Sequence, residues 1–181
     1  MLIDASRSTL ILIDFQQRLM PAINDSVAVI DNARRLADCA KQLGIDVAAT
    51  RQVPEKLGPF VTKLDGCAGH TFDKCHFDAC AEPAFAEFLE RQRMQARSQF
   101  IIAGCEAHVC VLQTVLSLRC AGHAVALVAD ACGSRRPLDG KMALARASAA
   151  GAELVSTEMV LFEWLRRSDH PAFGAMRRSL R

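Results

Sequence analysis

The sequence lacks the features that would direct it to a membrane, to secretion or to nucleic acid. No apolar stretch approaches the ~20 residues that a membrane-spanning helix requires. The opening residues hold acidic Asp4 and Asp14 around a short apolar run, which is not the pattern of a signal peptide. The net charge of +2 is too small to indicate nucleic acid or an anionic membrane as a partner. We therefore expect a cytoplasmic protein without membrane or nucleic-acid partners.

Length and composition predict one soluble domain. The chain has 181 residues, of which 51% are hydrophobic and 23% charged, and no linker or repeat divides residues 1–181. Eight cysteines could suggest a disulfide framework, but such frameworks belong to small secreted domains. Reduced thiols, mostly acting as small buried apolar groups, are therefore the expectation.

Continuous apolar runs alternate with helical patterns along most of the chain. This alternation predicts an α/β domain with a mainly parallel sheet covered on both faces. The predicted strands are residues 9–13, 45–50, 70–74, 100–103, 124–129 and 153–156. The predicted helices are residues 26–43, 83–94, 108–121, 137–150, 158–167 and 171–180, with Asp25-Ser26 offering the cap of the first.

Three reactive side chains follow the carboxyl ends of predicted strands, where open parallel sheets bind their ligands. They are Asp14, Lys74 and Cys110. Each alone has an ordinary structural explanation: a loop cap, a surface charge and a packing residue. Together they could attack a carbonyl carbon, because a carboxylate can take a thiol proton and a lysine favours both anions. The start of the helix near Cys110 also favours its thiolate.

Several segments together match the pattern of a known family. They are 10–16 (LILIDFQ), Lys74, 104–111 (GCEAHVCV), 128–131 (VADA), 150–153 (AGAE), 157–159 (TEM) and 170–173 (HPAF). With these segments the chain resembles the isochorismatase-like cysteine hydrolase superfamily over nearly its whole length, and the tail is closest to the small isochorismatase-domain-containing proteins.

The resemblance implies a fold and a mechanism. The fold is a three-layer, Rossmann-like sheet of six parallel strands, with the first strand beside the one that precedes the nucleophile. Asp14 matches the general base, Lys74 the catalytic lysine and Cys110 the nucleophile. The N–H groups of Glu106 and Cys110 match the oxyanion hole, and the bond between Cys105 and Glu106 matches a non-proline cis peptide.

The implied activity is hydrolysis of a small amide or related C–N substrate through a thioester. Isochorismatase itself cleaves a vinyl ether, and the presence of Cys110 favours amide chemistry instead. No cofactor is expected, and the family's oligomers suggest a homo-oligomer, a dimer or larger. Phe15, Arg51 and Phe77 are candidates for the pocket lining, although a surface or core position is the more common one for each of them.

Other functions remain open at this stage. Related nicotinamidases hold a metal through an Asp-x-His motif after the second strand, but residues 50–53 read TRQV here, so no metal is expected. A structural zinc site among Cys67, His70, Cys75, His76 and Cys80 has only loose ligand spacing. A redox-sensing thiol at Cys110 is the main alternative. No Gly-x-Gly-x-x-Gly follows the first strand, which disfavours a dinucleotide-binding domain.

Overall fold

One sheet of six parallel strands organises the protein, and helices cover both of its faces. The computed structural model describes residues 2–179. The strands are β1 (Ser8–Ile13), β2 (Asp46–Gln52), β3 (His70–Lys74), β4 (Gln99–Cys105), β5 (Ala124–Gly133) and β6 (Glu153–Val155). The helices are α1 (Ser26–Gln42), α2 (Pro54–Leu57), α3 (Pro83–Met94), α4 (Leu112–Cys120), α5 (Pro137–Ala149), α6 (Thr157–Leu165) and α7 (Phe173–Ser179).

The strand order is β3-β2-β1-β4-β5-β6, and every neighbouring pair is parallel. The three-layer α/β fold is thus confirmed. β1 lies at the centre, between β2 and β4. The carboxyl ends of β1, β2, β3 and β4 therefore meet at one edge of the sheet.

Alternating side chains of β1 enter two separate cores, as the two-residue period of a strand requires. Leu10 and Leu12 pack among residues of α1, α6 and α7. Ile11 and Ile13 pack on the other face, among residues of α3, α4 and α5. All four are at most 1% exposed, and each buried side chain contributes about 1.5–3 kcal/mol.

The structure corrects several predicted boundaries. β5 runs on to Gly133 rather than ending before Asp130, through an irregular stretch opposite β4. The helix predicted from His108 begins one residue earlier as a π-helical turn, Ala107–Val111, and continues as α4. Asp25 does precede α1, but it adopts a left-handed conformation and its side chain makes no cap hydrogen bond. Leu180 of the last predicted helix lies outside the described residues.

Gly104 sits where β4 passes closest to β1. A Cβ atom there would lie 2.5 Å from the carbonyl oxygen of Ile13 and 2.6 Å from its Cβ. Neither atom can move without disturbing the central strand pair. Only glycine fits this position.

Gly104→Ala is accordingly expected to lower the free energy of unfolding by about 3 kcal/mol, through overpacking at the sheet centre. Urea denaturation monitored by circular dichroism measures this change. Gly69→Ala is the matched control, because its nearest neighbour would be an ordinary contact at 3.9 Å. A loss from Gly104→Ala no larger than that from the control would contradict the close approach.

Candidate active site

Asp14 and Lys74 form an ion pair that is completely enclosed. Asp14 directly follows β1 with a positive φ of 54°, which turns the chain at the strand end. Lys74 is the last residue of β3, two strands away in the sheet. Its Nζ lies 2.8 Å from Asp14 Oδ2, and both side chains are 0% exposed. A buried pair of this kind is stable only while both charges remain.

The hydrogen bonds around the pair leave one carboxylate oxygen available. Thr50 Oγ1 donates to Asp14 Oδ1 at 2.8 Å. Lys74 Nζ donates to Gln52 Oε1 at 2.5 Å. Asp14 Oδ2 contacts the Lys74 ammonium group at 2.8 Å. A carboxylate oxygen has two lone pairs, so Oδ2 keeps a second acceptor position for a proton.

Cys110 lies in the π-helical turn beside this pair. Glu106 O accepts hydrogen bonds from the N–H groups of Val109 and Val111, while the N–H of Leu112 donates to Ala107 O. The Sγ of Cys110 is 3.9 Å from Gln52 Oε1, the same atom that accepts from Lys74. Cys110 is 6% exposed. Single π-helical turns occur frequently at functional sites.

Burial dominates the acid–base properties of both Cys110 and Asp14. Burial first, and then the charge of the Asp14 carboxylate, raise the pKa of Cys110 to about 12, although Lys74 opposes the rise. Burial also raises the pKa of Asp14, against the lowering effects of Lys74, Thr50 and Cys110. The prediction that a helix end favours the thiolate is therefore wrong for the resting protein. Asp14 becomes a stronger base in the same environment, which lowers the cost of taking the thiol proton.

This thiol should react slowly with a small reagent that does not resemble an amide. With a pKa of about 12, only about one Cys110 in 10⁴ is ionised at pH 8, roughly 10³-fold fewer than for an ordinary thiol. Methyl methanethiosulfonate should label the exposed Cys75 and Cys120 first, and labelling of Cys110 should accelerate as the pH rises toward 12. Peptide mapping after timed quenching measures each rate. Labelling of Cys110 as fast as Cys75 at pH 8 would contradict the raised pKa.

Hydrogen bonds to the loop after β5 hold the turn that precedes Cys110. The peptide bond between Cys105 and Glu106 is cis. The Glu106 carboxylate accepts from the Arg135 side chain at 2.8 Å and from the Arg135 N–H at 3.2 Å. His108 Nδ1 is 2.9 Å from Ser134 Oγ. These contacts join the turn to the loop after β5.

The three candidates for pocket lining have different positions. Phe15 is fully buried in the core shared with Leu10 and Leu12, so it does not line an accessible pocket. Arg51 forms a bidentate ion pair with Asp73 and points to the opposite face of β2 from Thr50 and Gln52. Neither position supports the expected role in the pocket lining. Phe77 is 51% exposed, and its carbonyl oxygen lies 3.5 Å from Lys74 Nζ, which keeps it at the site.

Thr50 and Gln52 hydrogen-bond to the Asp14–Lys74 ion pair, and neither was among the predicted site residues. They are alternate residues of β2, so their side chains share a face. Gln16 fixes this strand end: it accepts from the Gln52 N–H at 2.7 Å and donates to the Gln52 carbonyl at 3.1 Å. The sequence feature that could have indicated them is the polar pair Thr50 and Gln52 at the end of the otherwise apolar strand β2.

No group of three or more His, Cys, Asp or Glu side chains between residues 2 and 179 is placed to hold a metal ion. The same part of the chain holds no helix long and apolar enough to cross a membrane.

Comparisons with known proteins show the family of this chain. The isochorismatase domain model matches residues 8–159. Isochorismatase domain-containing protein 2A from Mus musculus is 31% identical over 175 residues, which cover 96% of this chain and 82% of that protein. The chain therefore belongs to the isochorismatase family, and its similarity is to the small domain-containing branch.

Solved structures share the fold over almost the whole chain. One described as MAR1 ribonuclease from Caenorhabditis elegans has a TM-score of 0.92 at 32% identity and covers 99% of this chain and 92% of its own. YcaC from Pseudomonas aeruginosa, solved with hexane-2,5-diol and covalent acrylamide, has a TM-score of 0.91 at 27% identity, covering 98% and 91%. YcaC from Escherichia coli, described as an octameric hydrolase of unknown specificity, has a TM-score of 0.91 at 24% identity, covering 98% and 90%.

Proposed function

We propose that the protein is a cysteine-dependent hydrolase of a small amide or related C–N substrate, with Asp14, Lys74 and Cys110 as its catalytic residues. The observation that carries this proposal is the enclosed cluster itself. A thiol lies beside a buried carboxylate, and a buried ammonium group contacts one oxygen of that carboxylate at 2.8 Å. Family membership supports the hydrolase class.

The proposed reaction begins with attack on the amide carbonyl. Asp14 Oδ2 takes the proton of Cys110 as Sγ forms a bond to the carbonyl carbon. The N–H groups of Glu106 and Cys110 stabilise the oxyanion, and Lys74 keeps Asp14 ionised beforehand. The C–N bond then breaks, and Asp14 returns the proton to the departing nitrogen, which leaves as ammonia or an amine.

Water completes the cycle. Asp14 takes a proton from a water molecule as the water oxygen bonds to the thioester carbon. The C–S bond then breaks, and Asp14 returns the proton to Sγ. The products are a carboxylic acid and the free thiol. Because one carboxylate receives and returns every proton, no external base and no cofactor are needed.

The covalent acrylamide in the Pseudomonas aeruginosa relative supports this chemistry. Acrylamide is a small primary amide with an electrophilic double bond. Its covalent attachment in that relative is in keeping with a reactive nucleophile on this fold. We propose that the same probe reaches Cys110 here.

Hydroxylamine trapping tests the acyl-enzyme. A panel of small primary amides is incubated with the protein and hydroxylamine, which attacks a thioester to give a hydroxamate. We expect ammonia release and hydroxamate formation together for at least one amide. Ammonia release without hydroxamate at saturating hydroxylamine would overturn the thioester. Release of neither product from the whole panel would overturn the amide class.

A redox-sensing thiol is the weaker alternative. Sensor cysteines have a low pKa and are accessible, whereas the pKa of Cys110 is raised to about 12 and the side chain is nearly buried.

A nucleic-acid substrate is also not proposed, although the nematode relative is described as a ribonuclease. The Cys110 thiol is nearly buried, and a net charge of +2 gives little attraction for a polyanion such as RNA. RNA incubated with the wild type should be cleaved no faster than with Cys110→Ala.

We also propose that the protein forms a homo-oligomer. The bacterial relative described as octameric has the same fold.

A further inference from the structure

The turn that carries the proposed nucleophile is held by two residues to which the proposed reaction assigns no role. We call residues 106–111 the nucleophile turn. Its first residue, Glu106, accepts hydrogen bonds from Arg135, and His108 Nδ1 lies 2.9 Å from Ser134 Oγ. Ser134 and Arg135 both belong to residues 134–136, the loop between β5 and α5.

The register of the sheet brings this loop to the nucleophile turn. Cys105, the last residue of β4, pairs with Gly133, the last residue of β5. Because the two strands are parallel, the chain leaves both of them at the same level of the sheet. Glu106 follows on one side and the loop follows on the other, so the two segments begin as neighbours.

The loop is anchored on both sides of Arg135, so it can act as a fixed support. The backbone N–H of Asn24 donates to the Ser134 carbonyl oxygen at 3.1 Å. The N–H of Gly140 donates to the Arg136 carbonyl oxygen at 3.3 Å, which joins the end of the loop to the first turn of α5. Arg135 therefore lies between two residues whose backbone is already hydrogen-bonded.

The Glu106 carboxylate has Arg135 as its charge partner. The Glu106 side chain is only 10% exposed, and a carboxylate with so little contact with water requires a partner. Its Oε2 accepts from the Arg135 Nε at 2.8 Å and from the Arg135 backbone N–H at 3.2 Å. Among residues 2–179, no other cation forms an ion pair with this carboxylate. Two donors from one residue fix the direction of the carboxylate as well as balancing its charge.

The backbone of Glu106 carries groups that the proposed reaction needs. Its carbonyl oxygen accepts from the N–H groups of Val109 and Val111, which shapes the turn around Cys110. Its own N–H donates to no other residue in the described part of the chain, so it is available to the oxyanion. A rotation of Glu106 would therefore move the oxyanion donor and disturb the turn that carries the nucleophile.

The ion pair is suited to local positioning rather than to overall stability. The Arg135 side chain is 60% exposed, and ion pairs open to solvent contribute little to the free energy of unfolding. Arg136 is also exposed, but it forms no ion pair with any residue that the structure describes. The two neighbouring arginines therefore differ in their contact with Glu106, and Arg136 provides a matched control.

We infer that Arg135 is a positioning residue of the proposed hydrolysis, which acts through Glu106 to keep the oxyanion donor aligned. This inference rests on the proposed function, because it requires an oxyanion at the Glu106 N–H. A misaligned donor weakens binding of the transition state and leaves binding of the substrate nearly unchanged, so the loss falls on kcat rather than on KM.

Steady-state ammonia release from the wild type and from arginine variants tests this role. Arg135→Met should lower kcat about 10- to 100-fold with KM changed by less than about twofold. Arg136→Met should keep both constants. Arg135→Lys should recover part of the lost kcat, because it keeps the charge without the geometry of the guanidinium group. Wild-type kcat in Arg135→Met, or an equal loss in Arg136→Met, would overturn the inference.

A double-mutant cycle with Glu106→Gln tests whether Arg135 acts through Glu106. In the Glu106→Gln background, Arg135→Met should lower kcat by less than about threefold, because the contact is already weakened. Two losses that multiply in full would show that the residues act independently and would overturn the inference. Circular dichroism should show every variant folded.

Amide hydrogen exchange followed by NMR separates this inference from the proposed function. Arg135→Met should speed exchange of the Val109 and Val111 amides at least about tenfold, and Arg136→Met should not. Unchanged exchange in Arg135→Met would overturn the inference even in a protein that hydrolyses amides. A wild type that hydrolyses no amide would overturn the proposed function, and the exchange rates would still decide whether Arg135 holds the turn.

Discussion

Cys110→Ala is expected to lower kcat by about 10⁴-fold or more for any amide that the wild-type protein hydrolyses, as loss of the nucleophile does in established catalytic triads. The side chain removed is the only thiol beside both Asp14 and Lys74 among the described residues. The neighbouring groups cannot replace it, because Asp14 and Lys74 are held 2.8 Å apart by their own attraction. Steady-state ammonia release measures the loss.

Cys120→Ala is the matched control for this prediction. Cys120 is exposed at the end of α4, which begins next to Cys110. The control variant should keep wild-type kcat and KM. If Cys110→Ala retained more than about a tenth of wild-type kcat, far above the residual activity expected without a nucleophile, Cys110 would not be the attacking group.

Asp14→Asn is expected to cost both activity and stability. The variant leaves the Lys74 ammonium group buried without a counter-charge, which should lower the free energy of unfolding by about 3–5 kcal/mol. It also removes the base, so turnover should fall by orders of magnitude. Urea denaturation and ammonia release measure the two effects on the same preparation.

The double variant Asp14→Asn with Lys74→Met separates those effects. Removing both charges should recover most of the lost stability, since a buried ion pair is often replaceable by uncharged groups of similar size. Turnover should stay lost, because stability is restored without a base. If the double variant were as unstable as the sum of the two single variants, the ion pair would not be coupled as the 2.8 Å contact indicates.

Periodicity along the chain was enough to predict the strands and most helices. Buried parallel strands are continuous apolar runs, as residues 10–13 of β1 and residues 100–103 of β4 are. Strand order is different, because apolar runs do not specify their neighbours. The resemblance to a family supplied the adjacency of β1 and β4, and the pairing of Ile13 with Gly104 confirms it.

The site could be predicted only in part, for reasons that particular residues show. The placement of Thr50 and Gln52 against the ion pair depends on the register between β1 and β2, which no local pattern reveals. Phe15 follows Asp14, whose positive φ redirects the chain into the core. The pKa of Cys110 depends on how deeply the turn is buried, and burial outweighs the helix end that the sequence made visible.

The most direct measurement is peptide mapping of the protein after brief exposure to acrylamide at neutral pH. Acrylamide resembles an amide substrate, so Asp14 should take the thiol proton and Cys110 should form the first adduct despite its raised pKa. The predicted result is a single adduct on Cys110, formed in the wild type and absent in Asp14→Asn. Adducts on the exposed Cys75 and Cys120 with Cys110 unmodified would contradict a nucleophile activated by Asp14.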